Sequence, residues 1–234
     1  MSKFRSTEGP AGPQPDDTDP DATDLAAPSH GAPGPASTDL AALVGSRICH
    51  DLISPLGAVC NGVELLAMAG GGETGPEIAL IEESVANATA RVRFFRVAFG
   101  HASPGASMGR PEVEEILADL TRGGRIAVDW RVAGDVARDE VKLAFLLVLC
   151  FESALAFGGR IEVSHDGSAW HARARHDRLR AEPSLWALLG GADGAAAVGV
   201  TAAQAQFLLA PAEAARQGRQ LRAVLTDQEI VVTW

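Results

Sequence analysis

His50 and Asp51 are neighbours in the chain, and Pro55 follows five residues after the histidine. An imidazole beside a carboxylate has a short list of uses. A ring nitrogen can act as a covalent nucleophile and carry a phosphoryl group. The adjacent acid can accept a hydrogen bond from the ring and orient it, or act as base. Metal binding needs further ligands at helical spacing, and no second His or Cys lies three or four residues from His50. The residue pattern alone leaves two readings open: a phosphate acceptor, or a solvent-facing histidine without a role.

The element that must position these groups is the stretch 41–68, ALVGSRICHDLISPLGAVCNGVELLAM after its first alanine. On a helical wheel at about 100° per residue, Val44, Leu52, Leu56, Val59, Val63 and Leu66 fall within roughly 80° of Ile48. That is one apolar stripe. His50 falls at about 200°, on the opposite face, with Ser46, Ser54, Gly57, Asn61 and Glu64. Ser37, Thr38 and Asp39 offer N-caps, and Gly70 to Gly72 stop the helix. Pro55 removes one backbone hydrogen bond and is expected to bend the helix near Asp51 and Leu52.

A second helix is predicted from about residue 76. Its apolar positions, Ile78, Ile81, Val85, Ala88, Val92, Phe95 and Phe99, keep a 3-4 spacing over three heptads. With the Gly-rich link the two helices form an antiparallel hairpin. One hairpin leaves both stripes uncovered, so two copies are expected to close a four-helix bundle as a homodimer. Beyond a turn-rich linker at 102–110 the pattern becomes mixed. Residues 112–120 read as a short helix or helix-strand junction. Residues 125–132, 160–164, 169–175, 221–225 and 229–233 read as strands. Residues 139–157, 183–189 and 201–217 read as helices, the first apolar all round and so central. The expected fold class is α+β: a hairpin at 38–101, then an α/β two-layer sandwich at 111–234.

Residues 1–37 hold seven of the thirteen prolines and a run of acids, a composition that favours a disordered tail. The 234-residue chain carries a formal net charge of −10, which argues against nucleic acid as a partner. Its three cysteines, Cys49, Cys60 and Cys150, have no C-x-x-C spacing and point to a reducing compartment. With no run of 18 apolar residues and no apolar signal core, a cytoplasmic protein with no membrane span is expected.

The string H-D-L-x-S-P-L, from His50 to Leu56, resembles the phospho-acceptor box of dimerising sensor histidine kinases. The wider string RICHDLISPLGAVCNGVELL is similar to the bacterial ChpT-type histidine phosphotransferases. The resemblance implies a kinase-like hairpin followed by a degenerate kinase ATPase-like domain. By it His50 is the phosphorylated residue and Asp51 the acid that assists transfer, with Arg47, Ser54 and Pro55 in supporting places. Gly57, Ala58, Asn61 and Glu64 would form the track on which a receiver domain docks. Phe94, roughly level with His50 across the hairpin, would either pack on the second domain or border the histidine and join that track.

ATP-binding kinase domains resemble E-x-x-x-N-x-x-x-N-A-x-K on the central helix. Here Leu149 and Ser153 stand for the two asparagines and Ala156 for the lysine, and Asp177 lacks the glycines that should follow it. The oxygens that magnesium requires are missing, so the chain is expected to bind no cofactor and to rely on magnesium brought by its partner. The family implies a relay from the receiver of a hybrid kinase (CckA-like) to regulators resembling CtrA and CpdR, which set cell-cycle state. An ATP-dependent histidine kinase and a non-catalytic receiver-binding adaptor are the competing readings.

Overall fold

The computed structural model describes residues 35–68, 75–191 and 199–234. Most of the predicted N-terminal tail, the glycine link at 70–72 and most of the small-residue loop at 190–199 lie outside the described residues. Helix α1 spans Pro35–Met68 and α2 spans Pro76–Ala98. The first begins upstream of the expected caps and runs through Pro55 without interruption. Pro55 has no N–H to give to the carbonyl of Asp51, four residues earlier. Its ring is buried against the hairpin, so packing holds the helix together there.

The two helices touch along their length, and Gly62 shows how closely. A Cβ placed on it would come 2.6 Å from Cγ1 of Ile81. No side chain fits at that position without displacing the side chain of Ile81.

The rest of the chain is a two-layer α/β assembly. Helix α3 (Arg110–Thr121) leads into strand β2 (Ile126–Trp130). Helix α4 (Arg138–Ala154) crosses to β4 (Gly159–His165), and β5 (Trp170–Arg175) returns beside it. Helix α5 (Pro183–Leu189), a 3-10 turn (Ala202–Gln204) and helix α6 (Gln206–Arg216) precede the last hairpin, β6 (Arg222–Leu225) and β7 (Glu229–Thr233). The sheet order is β2-β4-β5-β7-β6. Among the described residues only β2 and β4 run parallel, as a crossover through a helix requires. Strand residues alternate. Ile161, Val163, Ala172, Ala174, Ile230 and Val232 face the helices and are buried. Glu162, Arg173, Arg175 and Glu229 face outward and pair across strands, Arg173 with Glu162 at 2.8 Å and Arg175 with Glu229 at 2.7 Å. Each such exposed pair contributes a few tenths of a kcal/mol at most, roughly.

Three local expectations are corrected. The central helix ends at Ala154 rather than near residue 157, because Leu155 leaves helical geometry and Gly158 and Gly159 adopt positive φ. Gly158 must: a Cβ there would lie 2.5 Å from the carbonyl oxygen of Arg125. The helix expected at 201–217 is a 3-10 turn followed by α6. The segment read as a linker holds a short strand, β1 (Ser107–Met108), which pairs with β3 (Val136–Ala137) just before α4.

That ribbon lies where the hairpin joins the α/β part. Residues 35–234 form one compact unit. The foot of α2 supplies Phe94, Phe95, Val97 and Ala98 to the same core as α4 and the sheet. Phe94 is fully buried, its ring stacked on Phe145 of α4 with centroids 4.6 Å apart and planes within 5°. It therefore cannot border a docking track. Its place off the heptad stripe reflects burial under its own chain.

Phe94→Ala should cost about 3–5 kcal/mol of stability in urea unfolding, the usual loss for a buried aromatic. Receiver binding by the folded fraction should be unchanged.

Candidate functional site

His50 sits at mid-helix on α1 with 82% of its side chain exposed, whereas Asp51 beside it is only 11% exposed. Nδ1 of His50 lies 3.2 Å from Oδ1 of Asp51. One turn earlier, Arg47 donates from Nε to Oδ2 of Asp51 at 2.8 Å, the i, i+4 pairing that a helix places on one face. Arg91, on α2, brings a second guanidinium to the same oxygen at 3.6 Å. A ring open to solvent is thus anchored to a carboxylate that is not.

The histidine stands on the rim of a groove of about 380 Å³ between α1, α2 and α3. Ser54, Pro55 and Ala58 line it from α1, and Ser84, Asn87 and Arg91 from α2. Ser84 is buried and donates its hydroxyl to the carbonyl of Leu80 at 2.6 Å. The spacing Ser84, Asn87, Arg91 is a polar 3-4 stripe beside the apolar heptads of α2. That signal was present in the sequence and could have found the groove's second wall.

The other predicted residues fall as follows. Gly57, Asn61 and Glu64 are exposed further along α1, and nothing lies within 4 Å of where a Cβ on Gly57 would be. Ala58 is half-buried at the groove. Phe94 is in the core, as described above. These α1 residues share a face with His50, and the surface around Gly57 is free of the chain's own side chains.

Glu152 of α4 was not anticipated. Burial holds its carboxyl above the usual range, while Arg47 and Arg91 pull it down and Asp51 pushes it up. The α/β part therefore brings a carboxyl up behind the two arginines. Of the three positions aligned with the kinase asparagines and lysine, Leu149 is packed in the core, Ser153 donates its hydroxyl to the carbonyl of Cys150 at 2.6 Å, and Ala156 lies just past the end of α4. Among the described residues no three His, Cys, Asp or Glu side chains converge as a metal site would need.

Chemically, the arrangement offers one exposed nucleophilic nitrogen. If Nδ1 carries the proton and donates to Asp51, the lone pair of Nε2 is free and faces solvent. The two arginines lie against Oδ2 of Asp51 and leave Oδ1 to the ring.

Asp51→Ala should lower stability by about 1–3 kcal/mol at neutral pH, because Arg47 and Arg91 then lack their shared partner. In an Arg47→Ala background most of that loss should disappear, a coupling that a double-mutant cycle measures.

Comparison with known proteins adds to the geometry. Residues 110–229 match the family model described as the histidine phosphotransferase C-terminal domain. The chain is 33% identical over 202 residues to the protein phosphotransferase ChpT of Brucella abortus (strain 2308), covering 84% of this chain and 95% of that one. A solved structure described as a bacterial phosphotransferase superposes with a TM-score of 0.71 at 31% identity, over 84% of this chain and 96% of that one.

Proposed function

The chain belongs to the ChpT-type histidine phosphotransferases, and on that premise we propose that His50 is the residue that carries the phosphoryl group in a multistep phosphorelay. The observation that supports this most is the contrast within one dipeptide, an imidazole 82% exposed against a carboxylate 11% exposed and 3.2 Å away. In the step we propose, Nε2 of His50 attacks the phosphorus of an aspartyl phosphate on a receiver domain. The N–P bond forms as the bond from phosphorus to the acyl oxygen breaks, and the receiver's aspartate leaves as a carboxylate. The ring gains positive charge, with Nδ1–H still donating to Asp51, and the anionic carboxylate stabilises it. The reverse step, onto a second receiver, passes the group on.

The receiver brings its own magnesium in this reading, which neutralises the phosphoryl oxygens when bound; this chain supplies position and Asp51. The donor is proposed to be the receiver of a hybrid histidine kinase (CckA-like), and the acceptors response regulators of the CtrA and CpdR type. Gly57, Ala58, Asn61 and Glu64 form the proposed docking track. We also propose that the chain works as a homodimer in the cytoplasm. Leu56, Val63, Val85 and Val92 keep roughly half their surface exposed, 54%, 51%, 48% and 42%, and a second hairpin would cover them. By length and composition alone α1 could cross a membrane, from Leu40 to Met68, contrary to the expectation of no such stretch. The paired Arg47 and Asp51 at its middle favour the bundle instead, since charges at a bilayer centre are costly.

Incubated with a phosphorylated receiver, the wild-type chain should acquire an acid-labile phosphate, and His50→Ala should acquire none. Label on the variant equal to wild type, or autophosphorylation from ATP alone, would sink this reading; a His50→Ala chain that signals normally would favour an adaptor.

Gly57→Trp should fold and dimerise as wild type does, because the site is open, yet lose receiver transfer by about tenfold or more by filling the docking track. Unchanged transfer would remove Gly57 from that track.

A further inference from the structure

The two oxygens of Asp51 have different partners. Oδ1 faces Nδ1 of His50, and Oδ2 receives Arg47 and faces Arg91. Arg47 also reaches beyond the hairpin. Its Nη1 donates to the backbone carbonyl of Ala203 at 2.5 Å, in the 3-10 turn of the α/β part. That turn is held by a capping box in which the backbone N–H and the hydroxyl of Thr201 both reach Oε1 of Gln204 at 3.0 Å. Behind the arginines stands the half-buried carboxyl of Glu152. One guanidinium thus spans from the carboxylate beside the nucleophile to a fixed turn 156 residues later.

A lone carboxylate beside an imidazole can swing and offer either oxygen, or neither. One whose Oδ2 is pinned offers Oδ1 in one direction only. That favours the ring tautomer with the proton on Nδ1 and leaves Nε2 free to attack. Arginine suits the task because its planar fork serves two acceptors at once, which an ammonium on a flexible stem does not.

We propose that Arg47 and Arg91 are positioning residues that clamp Asp51, and that the α/β part, through the Ala203 carbonyl on Arg47, selects the tautomer of His50. The proposal rests on His50 being the phosphate acceptor. It assigns a task in the phosphotransfer site to the α/β part of the chain.

The test is ¹⁵N–¹H correlation spectroscopy of the imidazole nitrogens in the full chain, in alkaline buffer, alongside the receiver transfer assay. In wild type, Nδ1 of His50 should show the shift of a protonated ring nitrogen and Nε2 that of an unprotonated one. Arg47→Ala and Arg91→Ala should each move both shifts toward a mixture of tautomers. Phosphoryl acceptance should slow by about tenfold with receiver affinity unchanged. Arg91→Lys should restore most of the effect, since Arg91 contributes charge at 3.6 Å. Arg47→Lys should not, since one ammonium cannot hold Asp51 and Ala203 together. Gln204→Ala, which loosens the turn, should shift the tautomer in the same direction by less. Imidazole shifts that stay at wild-type values in both alanine variants would overturn the proposal, as would full rescue by Arg47→Lys. A wild-type ring that obeys the clamp but takes no phosphate would support the clamp and overturn the acceptor reading instead.

Discussion

The stacking of Phe94 on Phe145 is the contact from which the rest of the site takes its register. It locks the foot of α2 against the middle of α4 in a fully buried core. One turn before Phe94 on α2 lies Arg91. Two turns beyond Phe145 on α4 lies Glu152. With the two rings face to face, both groups arrive on the same side as Asp51. The site is therefore assembled from three helices, although its nucleophile belongs to one.

The constraint on that assembly is a conflict between exposure and order. A nucleophile that must meet a partner's phosphate cannot be buried, and an exposed side chain on a helix samples several rotamers. The chain resolves the conflict by separating the tasks. His50 is left open, while Asp51 is enclosed and its far oxygen is held by cations. Water competes weakly for a carboxylate in that setting, so the ion pairs there are worth more than those on the outer face of the sheet. Two of the three glycines of α1 show the same division. Gly62 is demanded by the close approach of Ile81, while Gly57 faces open space.

The α/β part is a mixed sheet under a buried central helix. Its packing also holds the hairpin in place. The ribbon β1–β3 and the Arg138 contact to the carbonyl of Arg96 at 3.2 Å tie it to the foot of the hairpin. The Ala203 carbonyl ties it to Arg47 on α1. With these ties the foot of α2 and the sheet share one core.

The sequence by itself determined the hairpin, the order of the main helices and strands in the α/β part, and the placing of His50 on the face opposite the apolar stripe, with Asp51 next to it in the chain. Those features are periodic, and periodicity is set by local backbone geometry. Alternation marked β4, β5 and β7, and an all-round apolar run marked α4. What only the tertiary structure decided was the company that Asp51 keeps. Arg91 and Glu152 lie 40 and 101 residues along the chain from it, and no spacing rule reaches that far. Phe94 shows the same limit from the other side. Its wheel position off the stripe fits a rim residue and a core residue equally, and only the arrival of Phe145 decides. The sequence also names Arg47 but not its second bond, because the acceptor at Ala203 is a backbone carbonyl, which every residue has and no sequence can distinguish.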